Sequence, residues 1–290
     1  MRRIGLILAV FTLFLSCLIS PAYPYWIWTP KKSRWINPKA SVKSSPQEKY
    51  DQAIDECRKL IKYYPKAFEA SEAQFYIGLS FEGDKKLYEA FQSYQKVIDK
   101  YPFSKRLDEI IEKELRIAQA FMAGEKRKIG KVELPVENPA IEILRKVVDN
   151  SVYGKSASYA QYLLGMTLKD ASRYQEAREE FEKVGTTYPE SEWASQAKFQ
   201  AADCASKIAP KSDYDQELTK EAKKKFEEFV KSEPQAELKK EAVSKIDILK
   251  EKEAEGALKI AEFYEKQKKF DAARIYYQEI LDKCPYCLSA

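Results

Sequence analysis

Cysteine is the residue of this chain whose spacing most resembles a reactive site. Cys284 and Cys287 have the CxxC spacing of redox motifs, in a chain with five cysteines. Cys284 is expected at the end of a helix, away from a helix N-terminus, where the dipole would lower the pKa of a thiol. We therefore predict a short structural disulfide or two free thiols, in preference to a redox centre.

Histidine is absent from the chain, which removes the commonest general base and the commonest metal ligand. Serine-histidine and cysteine-histidine catalysis are excluded, and no phosphate-binding loop or paired-carboxylate signature is present. Cys57 and Cys204 lie in distant parts of the sequence, which disfavours a zinc site. The sequence predicts a protein that is not an enzyme and has no cofactor, metal or small-molecule substrate.

A short apolar run at the N-terminus predicts export from the cytoplasm. Two arginines precede apolar residues 4–19, which are too few to span a bilayer as a helix, and Ser20-Pro21-Ala22 follows as a small-residue cleavage site. The first interpretation is a signal peptide cleaved after Ala22. The second is lipidation of Cys17, although Phe14 stands where a lipidation motif usually has leucine, and the third is a retained anchor.

The overall charge disfavours nucleic acid as a partner. Fifty basic and 45 acidic residues give +5, and removal of Arg2 and Arg3 with residues 1–22 leaves 48 basic residues, or +3. A protein that binds nucleic acid usually has a much stronger basic excess.

Internal repeats are the strongest signal in the sequence. Six segments end alike, each with an alanine twelve residues before its last residue and apolar residues four and seven positions after that alanine, which lie on one helical face. The segments are 50–65, 87–102, 138–152, 174–189, 219–234 and 270–285, and the alanines are Ala53, Ala90, Ala140, Ala177, Ala222 and Ala273.

A second helix precedes several of these segments, with Gly78, Gly165 or Ala261 twelve residues before the alanine. This spacing of glycine, alanine, an aromatic residue and proline resembles the tetratricopeptide repeat. The two helices of that repeat approach closely where glycine or alanine replaces a larger side chain. The resemblance implies an all-α fold, a tetratricopeptide-repeat right-handed superhelical solenoid. We assign residues 1–22 to a signal peptide, 23–48 to an irregular aromatic and basic N-terminal arm, and 49–290 to about five to six repeats, the first one partial.

A peptide-binding groove is the candidate site of such a solenoid. The resemblance implies that the first helix of each repeat lines the concave surface, with its outward positions three residues before and one after the glycine. Aromatic and methionine side chains there favour apolar contact with an extended or helical peptide, and the alternative is packing inside the repeat. The candidate residues are Phe75, Tyr76, Leu79, Tyr162, Met166, Phe199 and Asp203.

The N-terminal arm contains three tryptophans, Trp26, Trp28 and Trp35, within residues 24–38, which include three prolines. Proline excludes a regular helix there. We expect the arm to dock on the open apolar end of the solenoid, because terminal repeats require a cap. Strand addition to a partner and an aromatic seat at the membrane interface are the alternatives.

Residues 25–285 resemble the BamD-type outer-membrane assembly lipoproteins, which are tetratricopeptide proteins of the complex that inserts β-barrels into the bacterial outer membrane. The resemblance rests on Tyr25-Trp26-Ile27-Trp28-Thr29-Pro30, Trp35-Ile36-Asn37-Pro38, 72–78, 90–102 and 260–267. The chain departs from the family in its weak lipidation motif and its truncated first repeat.

The resemblance implies a non-enzymatic, periplasm-facing scaffold associated with the outer membrane. Its partners would be other envelope proteins, either the β-barrel assembly machinery or its unfolded precursors, bound through the groove and loops. The alternative is a soluble periplasmic tetratricopeptide coordinator of cell-envelope constriction or peptidoglycan synthesis. Lipidation of Cys17 would favour the first of these two functions.

Overall fold

The computed structural model describes residues 27–29, 34–36, 46–129, 132–133, 138–151, 156–208, 216–233 and 237–283. Eleven helices occupy most of these residues: α1 (Pro46–Tyr63), α2 (Phe68–Gly83), α3 (Leu87–Lys100), α4 (Leu107–Met122), α5 (Pro139–Asn150), α6 (Ala157–Asp170), α7 (Tyr174–Thr187), α8 (Ala194–Ile208), α9 (Glu217–Ser232), α10 (Lys239–Lys266) and α11 (Phe270–Lys283). The described chain is therefore an all-α tetratricopeptide-type solenoid.

Two short antiparallel hairpins accompany the helices. Strand β1 (Ile27–Thr29) pairs with β2 (Arg34–Ile36), and β3 (Lys128–Ile129) pairs with β4 (Val132–Glu133). The second hairpin lies in the lysine-rich insertion between α4 and α5. Both are too short to form an independent sheet core.

The chain forms two compact units, residues 1–139 and 140–290. In the first, α1, α2, α3 and α4 pack in sequence, each helix against the next. In the second, α6 to α11 do the same. Packing between consecutive helices joined by short turns is the arrangement expected of helical repeats.

Proline follows the end of four of the second helices, as the sequence predicts. Helices α1, α3, α7 and α9 end two residues before Pro65, Pro102, Pro189 and Pro234. The residue before a proline is disfavoured in the helical region, and Tyr101 and Tyr188 accordingly adopt φ near −130° with ψ near 60°. The prolines thus set the length of these four helices.

Small residues allow the two helices of a repeat to pack closely. All six repeat alanines are buried, with exposed fractions between 0% and 8%. A Cβ atom on Gly78 would lie 2.3 Å from Cε1 of Tyr94, and one on Gly165 would lie 2.6 Å from Cε1 of Phe181. The aromatic ring, four residues after the alanine, therefore fills the space above the glycine.

The turn inside the repeat has the same conformation three times. Lys85, Ser172 and Lys268, each seven residues after Gly78, Gly165 or Ala261, have φ of 59°, 60° and 62°. In the first of these turns the N–H of Lys86 donates to the carbonyl of Phe81 at 2.9 Å, the bond of a Schellman helix end. The sequence holds no glycine at these left-handed positions.

Helix α10 differs from the sequence-based expectation. The repeat pattern predicts only a first helix around Ala261 in this region, whereas Lys239–Lys266 form one continuous helix of 28 residues. Its first half packs Ala242, Ile246 and Leu249 into a core with Phe226 and Phe229 of α9. Its second half pairs with α11. None of the helices in the described residues is long and apolar enough to cross a membrane.

Candidate partner-binding surfaces

An aromatic cluster in the second unit is formed by side chains of helix α6 and of the turn that precedes α8. The rings of Tyr162 and Trp193 stack with centroids 5.1 Å apart, and the rings of Tyr159 and Trp193 lie 4.6 Å apart. All three side chains are partly exposed. We call Tyr159, Tyr162 and Trp193 the aromatic shelf.

Local structure fixes the shelf. Tyr159 and Tyr162 are three residues apart on α6, and therefore lie on one face of the helix. Trp193 lies in the turn before α8, where its backbone N–H donates to Oγ of Ser191 at 3.0 Å. Below the shelf, the ring of Tyr162 contacts Phe181, which covers Gly165. The shelf thus rests on the packed core of its repeat.

The equivalent positions of the first unit hold different chemistry. Arg106 stands twelve residues after Tyr94, as Trp193 stands twelve after Phe181. Its guanidinium lies 5.0 Å from the ring centre of Phe75 and forms ion pairs with Glu72 at 3.1 Å and Glu109 at 2.7 Å. This ionic clamp buries Phe75, which is 1% exposed.

Phe199 and Asp203 are also buried, at 3% and 5% exposure. The ring of Phe199 packs edge-on against Phe226 and Phe229, each 5.6 Å away. The carboxylate of Asp203 receives the ammonium groups of Lys169 and Lys245, each at 2.7 Å. These contacts join helices α6, α8, α9 and α10.

Opposing effects act on the Asp203 carboxyl. Its burial raises the pKa, but hydrogen bonds from Lys169 and Lys245 and their charges outweigh burial, so the pKa lies below its usual value. Asp203 is therefore ionised and fully engaged by two lysines. For Phe75, Phe199 and Asp203, the structure shows packing inside the protein, the alternative that the sequence left open.

Four of the candidate groove residues remain partly exposed: Tyr76 and Leu79 on α2, and Tyr162 and Met166 on α6. Burial raises the pKa of the Tyr76 and Tyr162 hydroxyls, so both stay neutral and able to donate hydrogen bonds at physiological pH. Met166 lies one helical turn beyond Tyr162. Each unit thus presents apolar side chains on the first helix of a repeat.

Sequence reasoning missed Tyr159 and Trp193. Both could have been found from the repeat register, because Tyr159 precedes Tyr162 by three residues and Trp193 follows Phe181 at a fixed interval. The candidate groove positions comprise only those around the glycine. Trp193 belongs to the turn between α7 and α8, and the repeat pattern specifies no residue in that turn.

Other candidate residues lie in the arm and among the cysteines. Trp28 and Trp35 are cross-strand partners in the first hairpin, while Trp26, Cys17, Cys284 and Cys287 lie outside the described residues. Cys57 and Cys204 are buried free thiols, and burial raises their pKa to about 12 and about 11. Neither thiol is a nucleophile at neutral pH.

A small polar cleft of about 270 Å³ lies between α9, α10 and α11. Its charged residues include Lys223 and Glu253, which form an ion pair, and Lys283 and Glu279, which form another. Over the described residues, no three acidic or cysteine side chains stand close enough to bind a metal ion. The aromatic shelf remains the more distinctive surface.

Comparison with known families agrees with this geometry. A family model of the tetratricopeptide repeat matches residues 72–104 and 159–191, the segments that contain Gly78 with Tyr94 and Gly165 with Phe181. These two segments are tetratricopeptide repeats. A second family model, described as outer membrane lipoprotein, matches residues 202–289, which begin within α8 and include α9, α10 and α11.

Solved structures resemble the chain weakly. The C-terminal part of a TPR repeat-containing protein from Cytophaga hutchinsonii is 19% identical, with 86% of this chain and 88% of that chain covered and a TM-score of 0.38. MamA is 17% identical, with 71% and 94% covered and a TM-score of 0.34. No curated protein sequence matches the chain significantly. Function must therefore be argued from the tetratricopeptide repeats themselves.

Proposed function

We propose that the chain is a non-enzymatic scaffold of the bacterial cell envelope, resembling a BamD-type component of outer-membrane β-barrel assembly. It binds partner proteins or unfolded precursors through the first helices of its repeats. The match of residues 202–289 to an outer membrane lipoprotein family supports the envelope setting. The tetratricopeptide repeats support a role in protein binding.

The aromatic shelf carries this proposal. Tyr159, Tyr162 and Trp193 are partly exposed, although each ring stacks on a neighbour. Their rings are already ordered by these contacts, so a partner that binds them loses little additional side-chain entropy on the scaffold. Met166 on the same helix adds an adaptable apolar contact.

An unfolded β-barrel precursor has suitable chemistry for this shelf. Barrel strands alternate apolar and polar residues, and aromatic residues form girdles near the strand ends. An extended strand places every second side chain on one face, so its apolar face can lie against the aromatic shelf. Recognition by shape and stacking requires no covalent step.

The test is binding of a fluorescently labelled, urea-unfolded outer-membrane β-barrel protein, diluted into buffer with the scaffold and followed by anisotropy. Trp193→Ala should weaken binding about tenfold or more, because interface tryptophans are typical hot spots. Phe103→Ala is the matched control, since Phe103 is 97% exposed but lies in the other unit. Equal affinity of the Trp193→Ala variant and the unmutated protein would refute the shelf as the binding surface.

Localisation is tested separately, by intact mass spectrometry of the protein recovered from native envelope fractions. A chain that begins at Cys17 with a diacylglyceryl group supports an outer-membrane anchor and the barrel-assembly role. A chain that begins at Tyr23 instead describes a soluble periplasmic protein, the setting of a coordinator of envelope constriction or peptidoglycan synthesis. The mass therefore separates the two functions.

A further inference from the structure

The last described helix has the same register as the second helix of two earlier repeats. Helices α3, α7 and α11 each contain 14 residues. Residues at positions 1, 5, 8 and 12 of such a helix form one stripe along its surface. In α3 the stripe is Leu87, Phe91, Tyr94 and Ile98, and in α11 it is Phe270, Arg274, Tyr277 and Leu281.

The two stripes differ in burial. At the first and last positions of the α3 stripe, Leu87 and Ile98 are partly buried, and between them Phe91 is 2% exposed. Helix α4 packs against α3, and Gln95 next to the stripe donates hydrogen bonds to Glu114 of α4 at 2.8 and 2.9 Å. In α11, Phe270 is 64% exposed and Leu281 is 51% exposed, and no helix follows α11 within the described residues.

A charged position accompanies each stripe. In the first unit, Oε2 of Glu82 accepts hydrogen bonds from the Tyr94 hydroxyl at 2.7 Å and from Lys113 of α4 at 3.1 Å. The equivalent contact in the second unit joins Lys169 to Gln200 of α8 at 2.6 Å. In both repeats, the helix that follows supplies a polar partner at this position.

The last repeat has only half of this arrangement. Glu265, equivalent to Glu82, accepts a hydrogen bond from the Tyr277 hydroxyl at 2.8 Å. Among the described residues no lysine or arginine forms an ion pair with Glu265. The stripe of α11 has Arg274 in place of Phe91 but keeps the apolar residues Phe270, Tyr277 and Leu281. Together with the carboxylate of Glu265, these apolar residues match an amphipathic helix that has a basic residue beside its apolar face.

We propose that Phe270, Tyr277, Leu281 and Glu265, which we call the terminal face, dock an amphipathic helix of a partner protein. The partner helix packs on α11 as α4 packs on α3, and it places a lysine or arginine at Glu265 as Lys113 is placed at Glu82. This surface is separate from the aromatic shelf and goes beyond the proposed function. A neutral or acidic helix would leave Glu265 without its cation.

The probe is a fluorescein-labelled peptide of residues 105–123 of this chain, which contains the α4 sequence, titrated with the full-length protein and followed by anisotropy. We expect saturable binding that Leu281→Asp weakens about tenfold or more, since a charge replaces a side chain that becomes buried. Ile248→Asp is the matched control, because Ile248 on α10 is 61% exposed and outside the terminal face. That variant should bind the peptide unchanged.

A charge exchange tests the position of the helix. A peptide with Lys113→Glu should bind the unmutated protein several-fold more weakly, and Glu265→Lys in the protein should restore its affinity. Trp193→Ala should leave peptide binding intact, so failure at the shelf and failure at the terminal face are distinguishable. Three results would overturn the proposal. They are absence of saturable peptide binding, an equal loss of peptide affinity in Leu281→Asp and Ile248→Asp, and failure of Glu265→Lys to restore the affinity of the Lys113→Glu peptide.

Self-association is the remaining outcome, measured by sedimentation velocity. A dimer that Leu281→Asp dissociates, together with absence of peptide binding, would assign the terminal face to a second copy of the chain. That result would overturn the proposal. A monomer that binds the peptide supports it.

Discussion

A methyl group added to Gly78 or Gly165 has no free space to occupy. Gly78→Ala should lower the free energy of unfolding by about 1–3 kcal/mol through overpacking against Tyr94, despite the higher helix propensity of alanine. Gly185→Ala is the control, because the nearest atom to its added Cβ is Cγ of Lys198 at 3.9 Å. That variant should be stabilised by roughly 0.5–1 kcal/mol. Urea denaturation followed by circular dichroism measures both; destabilisation of both variants alike would contradict the close approach.

Glu114 makes the stability of the first unit depend on pH. Its side chain is fully buried, and burial raises the pKa of its carboxyl from 4.5 to about 8, with hydrogen bonds from Gln95 acting in the opposite direction. In the unfolded chain the carboxyl ionises near pH 4.3, so folding favours the protonated form. The contribution of Glu114 to stability is therefore largest below that pH and falls as the pH rises to about 8, by up to roughly 1.4 kcal/mol per pH unit.

Glu114→Gln removes this titration. The difference in unfolding free energy between the variant and the unmutated protein should grow from pH 5 to pH 8 in favour of the variant and level off above pH 8. Urea denaturation at a series of pH values measures it. A difference that does not change with pH would show that Glu114 is solvated and ionised in the folded protein.

At the scale of the element, the turns between paired helices carry backbone strain. Lys268 has φ of 62°. This left-handed conformation costs a residue with a side chain about 1–2 kcal/mol, whereas glycine adopts it readily. Lys268→Gly should raise the free energy of unfolding by about 0.5–1 kcal/mol. Lys266→Gly, within the last turn of α10, should lower it by up to about 1 kcal/mol. Thermal unfolding separates the two, and equal shifts would argue against a left-handed turn.

Asp203 joins three helices through two lysines. Asp203→Asn should lower the free energy of unfolding by about 1–3 kcal/mol, because Lys169 and Lys245 lose their counter-charge in a partly buried site. Because the pKa of Asp203 is lowered by folding, its contribution is present above the unfolded pKa of about 3.9 and is lost as the pH falls through the folded pKa. Asp170→Asn, at an exposed position of α6, is the control in urea denaturation. Equal stability of both variants at pH 7 would show that the ion pairs of Asp203 with Lys169 and Lys245 do not stabilise the fold.

At the scale of the whole molecule, the sequence predicted the repeated features and missed those that depend on neighbouring repeats. Prolines and alanines fixed the second helices because their effects are local to a repeat. Burial of Phe75 and Asp203 depends on Arg106 and Lys245, which follow them by 31 and 42 residues, and no consensus position specifies such partners. The continuity of α10 was missed because its two halves serve different neighbours.

The candidate site was predicted in part for the same reason. Tyr162 and Met166 follow from the repeat register, and the structure leaves both partly exposed. Trp193, which completes the aromatic shelf, lies in a turn whose conformation depends on the length of the preceding helix. An alignment of all repeats at their glycines, with the turns included, would identify Trp193 from the sequence.

In the proposed function, polypeptides bind the first-helix surface of the tetratricopeptide repeats. Hydrogen–deuterium exchange of the full chain, with and without a urea-unfolded outer-membrane β-barrel protein, tests it most directly. We predict slower exchange on binding in residues 157–166 and 191–199, which contain the shelf and its supports, and no change in residues 46–63. Protection confined to residues 46–63, or none in either shelf segment, would contradict the account.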